Sequence, residues 1–117
     1  MDDEKLTDTN LVIESPLARW PGRVELPSPD AFSGDHWAAW RAAMNKREKS
    51  GQTINMILAY GGLEFLAQKG GVFAIEGVTL DEVRGWETNA ANERVKLISW
   101  LGREFRAYIQ DVTDPKE

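Results

Sequence analysis

The chain has a single histidine, His36, and Ser33 stands three residues before it. A serine and a histidine so close raise nucleophilic catalysis first, because imidazole is the usual base for a hydroxyl. The spacing fits another task better. A serine at a helix start accepts a hydrogen bond from the backbone about three residues on. His36 is therefore read as a first-turn helix residue. Among the carboxylates, Glu64 in Leu63-Glu64-Phe65-Leu66 has the most apolar setting, the condition that makes a general acid. Its place in the pattern assigns it to the polar edge of a helix. Asp81 and Glu82 are consecutive and diverge on a helix, and Glu76 is five residues earlier, so no metal-ligand spacing appears. There are no cysteines, which removes disulfides, thiolate nucleophiles and zinc–thiolate sites together. Gly61-Gly62 and Gly70-Gly71 match neither the phosphate loop nor the dinucleotide fingerprint. No catalytic, cofactor-binding or metal residue is nominated, and the chain is expected to be no enzyme.

The five tryptophans are the unusual feature: Trp20, Trp37, Trp40, Trp86 and Trp100. Tryptophan joins a large apolar area to a polar handle and is enriched in protein interfaces. Trp40 and Trp100 sit within helical apolar stripes and are assigned to the core. Trp20 lies in a proline-punctuated arm and Trp37 in the first turn of a helix, so both are interface candidates. Phe32, Met44 and Trp86 complete the set of partner-binding candidates.

The elements that must position these residues follow from periodicity and punctuation. Leu11-Val12-Ile13 reads as a short strand, and Arg23-Val24-Glu25-Leu26 alternates as a strand with one wet face. Pro16, Pro21, Pro27 and Pro29 punctuate the same region. They predict an extended arm over 11–30, with a small hairpin around Pro21-Gly22 and an edge position in any sheet. Whether that arm packs on its own body or on another chain is open at this stage. A first helix begins near Ser33 and stops at Ser50-Gly51, with Trp37, Trp40 and Met44 on one face. A second, the most buried, runs from the cap Thr53 to Lys69. It contains Gly61-Gly62, which a helix accepts when close packing repays them. Val72 to Glu76 predicts a strand that partners the earlier arm. Thr79 and Glu82 form a capping box for a short helix over 80–86. The last helix is expected from near Thr88 to about Val112, with Leu97, Leu101, Phe105, Tyr108 and Val112 as its stripe. The fold class is mainly α: a compact bundle of three to four helices with a small extended N-terminal arm and one short β-hairpin-like patch. The domain plan is a flexible acidic tail (1–10), one helical domain (11–112) and an acidic C-terminal tail (113–117).

The 117 residues suit one domain, and 42% hydrophobic with 28% charged residues suits a soluble globule. No apolar run approaches the roughly 18 residues that span a bilayer. The acidic start is followed by no apolar segment, so neither a secretory signal nor a membrane partner is expected. Of the net charge of −5, residues 1–14 carry −4 and residues 111–117 carry −2, leaving the body near neutral. Acidic ends repel phosphate backbones, so no nucleic-acid partner is expected. The basic groups Lys46, Arg47, Lys49 and Arg94, Lys96, Arg103, Arg106 are read as solvated helix faces.

The order of features is an acidic start, the stretch Ala18-Arg19-Trp20-Pro21-Gly22-Arg23-Val24-Glu25-Leu26-Pro27, and a helical body. The segment Arg94-Val95-Lys96-Leu97-Ile98-Ser99-Trp100-Leu101 and the end Asp114-Pro115-Lys116-Glu117 follow. In this layout the chain resembles the small tail assembly chaperones of long-tailed bacteriophages, encoded between the tail tube and tape measure proteins. The resemblance implies a helical, cofactor-free protein that works in the host cytoplasm. There it would coat the long tape measure helices and keep them soluble until tube subunits polymerise. It supplies no catalytic residue to carry over. Alternative readings are a small virion structural or connector protein, or a regulator that binds a host protein; a homo-oligomer fits any of them.

Overall fold

The computed structural model describes residues 10–113. The calls on the tail 1–10, apart from Asn10, and on residues 114–117 lie outside them. The fold is mainly α, with four helices and a three-stranded antiparallel sheet. Strand β1 (Leu11–Glu14) leads to β2 (Gly22–Leu26), then to helix α1 (Gly34–Asn45), α2 (Ile54–Gln68), strand β3 (Val72–Ile75), the short α3 (Leu80–Gly85) and the long α4 (Val95–Thr113). Single 3-10 turns lie at Pro29–Ala31, Trp86–Thr88 and Ala90–Asn92.

Helix starts obey the local chemistry of the chain. The Ser33 hydroxyl accepts from the His36 backbone N–H, and the His36 ring accepts from the Ser33 backbone N–H, a reciprocal cap. Thr53 caps α2 through the Met56 N–H, and Thr79 and Glu82 cap α3 reciprocally. α2 is buried from Ala59 through Leu66 and packs against both α1 and α4. Its two glycines make that possible. A methyl group on Gly62 would drive into the Phe105 ring of α4, and one on Gly61 would lie 2.7 Å from the Met44 methyl of α1. The core holds Trp40, Tyr60, Leu63, Phe65, Leu66, Leu97, Trp100, Leu101 and Phe105, closed on one side by Val24, Leu26 and Ile75 of the sheet. Trp40 and Trp100 are buried, as their stripes predict.

Three sequence expectations are corrected. Only the first part of the extended arm is an edge: β1 is an outer strand, but β2 is the central strand, pairing Val24 with Ile13 on one side and with Phe73 on the other. The prolines permit this because Pro21 and Pro27 flank β2 and none falls inside it. The hairpin does not turn on Pro21-Gly22. The connection is residues 15–21, and Gly22 is already paired with Ile75. Gly22 has φ +135°, and a β-carbon there would run into the Ala74 carbonyl, a place that excludes a side chain. The last helix begins at Val95, not Thr88. Asn89 and Asn92 lie among small residues with no apolar period, and asparagine competes for backbone bonds, so the chain makes two 3-10 turns there instead.

Candidate functional site

Three places gather side chains capable of recognition or chemistry. The first is an aromatic stack that runs from the core to the surface. Trp40 meets Phe105 at 6.4 Å, Phe65 at 5.3 Å and Tyr108 at 6.0 Å between ring centroids. Phe32 sits on Phe65 at 5.7 Å and on Tyr108 at 5.9 Å. Trp37 packs edge-on against Phe32 at 6.2 Å and His36 lies 5.4 Å from Phe32. Such edge and tilted geometries are the favourable ones for ring pairs. The stack ends at Trp37, which keeps 37% of its surface exposed, with the Arg41 guanidinium 6.0 Å above its ring. The Tyr108 hydroxyl donates to the Pro27 carbonyl at 2.8 Å, tying the stack to the arm, and burial pushes its pKa up.

The second place is a polar pocket of about 360 Å³ bordered by Lys46, Arg47, Tyr60, Glu64 and Glu87. Here two further expectations fail. Arg47 is not on a solvated helix face and Glu64 is not a polar edge: both are buried. α1 ends at Asn45, and the turn that follows carries Arg47 inward. Its guanidinium donates to the Ala43 carbonyl at 2.7 Å, to Glu64 at 2.8 Å and to both oxygens of Glu87 at 2.6 and 2.9 Å. Lys46 and Gln68 also donate to Glu64, and Gln52 donates to Glu87. Burial acts to raise the Glu64 carboxyl, but the hydrogen bonds and charges of Arg47 and Lys46 together outweigh it and hold the pKa below the ordinary value. The Tyr60 hydroxyl donates to Glu93 at 2.9 Å, and burial followed by that carboxylate pushes its pKa up, so it stays protonated. The carboxylates are neutralised and the phenol is a donor, so the arrangement acts as a polar lock between α1, α2 and the turn after α3.

The third place is an open cleft of about 650 Å³ whose walls include Trp20, Trp86, Arg19, Arg94, Asp81 and Glu82. Trp20 and Trp86 are each only 9% exposed, so little of either indole is open to it. Arg19 covers Trp20 with its guanidinium 5.1 Å from the ring centroid.

The five partner-binding candidates are thus divided. Phe32 and Trp37 join in the aromatic stack, Trp20 and Trp86 meet at the cleft, and Met44 fills the space over Gly61. Sequence reasoning did not single out Tyr108 as the link between stack and arm, nor the pairing of Arg47 with Glu64 and Glu87. The first had a readable signal in its stripe position. The second spans 17 and 40 residues and had none. Among the described residues no group of three or more His, Asp or Glu is placed to hold a metal ion, and no helix is long and apolar enough to cross a membrane. No protein-family model, curated protein or solved structure matches this chain.

Proposed function

We propose that the chain is a non-enzymatic protein-binding module that keeps a long helical client soluble, as a phage tail assembly chaperone does for the tape measure protein in the host cytoplasm. The reading is carried by the exposed Trp37 ring at the outer end of a buried aromatic stack. A rigid, half-open indole is the type of anchor that dominates helix-in-groove recognition. Phe32 beside it gives a client helix a second apolar contact. The neutralised carboxylates around Arg47 are engaged in holding elements together, which favours binding over catalysis. The acidic ends of the sequence keep a loaded complex soluble by repulsion.

Co-expression with a long helical tape measure fragment tests this. The parent chain should hold the fragment in the soluble fraction, and Trp37→Ser should release it to the pellet while its own fold persists. Equal precipitation with and without the chain refutes the reading. Mass spectrometry of purified virions adds a second check: a chaperone is absent from the particle, whereas a connector is present in ring stoichiometry.

A further inference from the structure

We infer that His36 is a pH-operated latch on the start of α1: the neutral ring closes the cap and holds Phe32 and Trp37 in place, and the protonated ring opens it. The inference stands on the cap geometry and needs no client. In a capping box the third helical residue is ordinarily Glu or Gln, whose side-chain oxygen accepts from the backbone N–H of the cap residue. Here that position is held by the only histidine of the chain. Its Nδ1 accepts from the Ser33 N–H at 2.9 Å, and the Ser33 hydroxyl accepts from the His36 N–H at 3.2 Å. Glutamine would make the same pair of bonds. What histidine adds is a change of charge near neutrality, since it is the side chain that ordinarily titrates between about pH 5 and 8.

Only the neutral ring can serve, with its proton on Nε2. Protonation puts a hydrogen on Nδ1, and the Ser33 N–H then faces a donor and loses its acceptor. The new N–H can turn to the Ser33 hydroxyl, 3.0 Å away, so the ring stays near while the reciprocal bond is gone. A cation in the first turn also opposes the helix dipole. The charged groups at this place divide. Asp35 of α1 attracts the imidazolium, but its carboxylate is bound by Lys69, which follows α2 and whose own charge repels the ring. The other neighbours are rings: Phe32 before the cap, Phe65 of α2 and, behind Phe32, the Tyr108 phenol of α4, which burial keeps protonated. The neutral form closes the cap, so the latch is shut at high pH and opens as pH falls.

The cap controls the exposed end of the aromatic stack. Phe32 precedes the cap residue and Trp37 is the fourth helical residue, and their ring centroids lie 6.2 Å apart. This is the staple arrangement that fixes how a chain enters a helix. The His36 ring touches the same cluster, 5.4 Å from Phe32 and 6.0 Å from Phe65. Box and staple thus share residues 32–37, and a ring that lets go of Ser33 loosens the Phe32–Trp37 contact with it.

The experiment uses the full chain, isotope-labelled, between about pH 8 and pH 5. That window lies above the titration of Glu64, where burial is outweighed by Arg47 and Lys46, and of Asp35, held low by its Lys69 hydrogen bond. Nuclear magnetic resonance follows the single histidine ring together with amide exchange at Ser33, corrected for the intrinsic effect of pH. Exchange should speed about fivefold as the ring takes its proton, the loss of one cap bond. Acrylamide quenching follows Trp37, which is 37% exposed while the other four indoles are 9% exposed or less. Quenching should rise over the same pH range. His36→Gln keeps the box and removes the titration, so both readouts should stay flat at the values of the parent chain at high pH. Lys69→Gln frees Asp35 to attract the imidazolium, so the opening should move to higher pH. An acid change that persists in His36→Gln overturns the inference, as does ring protonation with no change at Ser33 or at Trp37. An opening unmoved in Lys69→Gln overturns it too. Should His36→Gln fail to fold, the parent titration and Lys69→Gln decide.

Discussion

Replacing Arg47 with methionine should destabilise the fold by about 3 kcal/mol. The guanidinium side chain is 11% exposed, and its partners Glu64 and Glu87 are 9% and 17% exposed. Removing one member of a buried ion pair typically costs about 3–5 kcal/mol, because the remaining charge has lost its solvent and its partner. The lower end applies here. Lys46 and Gln68 still reach Glu64, and Gln52 still reaches Glu87, although the Lys46 side chain is 62% exposed and screened by water. For a domain of this size each kcal/mol moves the melting temperature by about 4–8 °C, so a fall of about 12–24 °C is expected in a thermal melt followed by circular dichroism. The pH dependence checks the cause. The Glu64 pKa is held below its ordinary value of 4.5, so its contribution is present above that value and is lost as pH falls through the lower native one. Without Arg47, burial acts with less opposition and raises the carboxyl, and protonation then relieves the variant. The stability gap between parent and variant should narrow between about pH 6 and pH 4. Adding Glu64→Gln to Arg47→Met should cost less than the two changes summed, by about 1 kcal/mol or more. A cost below about 1 kcal/mol for Arg47→Met, or a gap that widens in acid, would refute the reasoning.

Two further pairs of substitutions separate effects that the sequence alone would treat alike. Gly62→Ala should cost about 2–3 kcal/mol in urea melts, because its methyl meets the Phe105 ring inside the core. Gly61→Ala meets only the flexible end of Met44 and should cost under about 1 kcal/mol after the gain in helix propensity. Trp40→Ala should cost about 3–5 kcal/mol, as a buried indole leaves a cavity touching Phe65, Phe105 and Tyr108. Trp37→Ala should cost under about 1 kcal/mol, so that any loss of client solubilisation is a loss of contact.

The helices were legible because each announces itself over a few adjacent residues. Ser33, Thr53 and the Thr79–Glu82 box mark three starts, and the 4, 4, 3, 4 spacing from Leu97 to Val112 marks the last stripe. Gly61-Gly62 even indicated close packing, though not that Met44 and Phe105 are what approach. The errors share a cause. A count of prolines puts β2 at an edge, whereas their positions outside its ladder bonds let it lie at the centre. The start at Thr88 was too early because Ala90 and Ala91 favour helix while Asn89 and Asn92 divert the backbone. Arg47 and Glu64 were assigned to solvent because each is polar within its own helix pattern. Their burial depends on Glu87, 40 residues from Arg47, and no local period reports a pair at that separation.

The exposed Trp37 and the buried Arg47 stand ten residues apart and reverse the usual partition of the two side-chain types. The two reversals have different explanations. Arg47 goes inside because three carbonyl-type acceptors surround it, and its burial follows from the fold. The Trp37 ring packs edge-on against Phe32 and under the Arg41 guanidinium, yet more than a third of it stays in water. Phe32 already seals the stack over Phe65 and Tyr108, and a polar residue outside it would leave the core as dry as before. The apolar area left in water at that position gives the monomer nothing. Under the protein-binding reading proposed above, that area is where a second polypeptide would sit. Tyr108 touches Phe32, bonds the Pro27 carbonyl and lies beside β1, so one residue of α4 links the aromatic stack to the sheet.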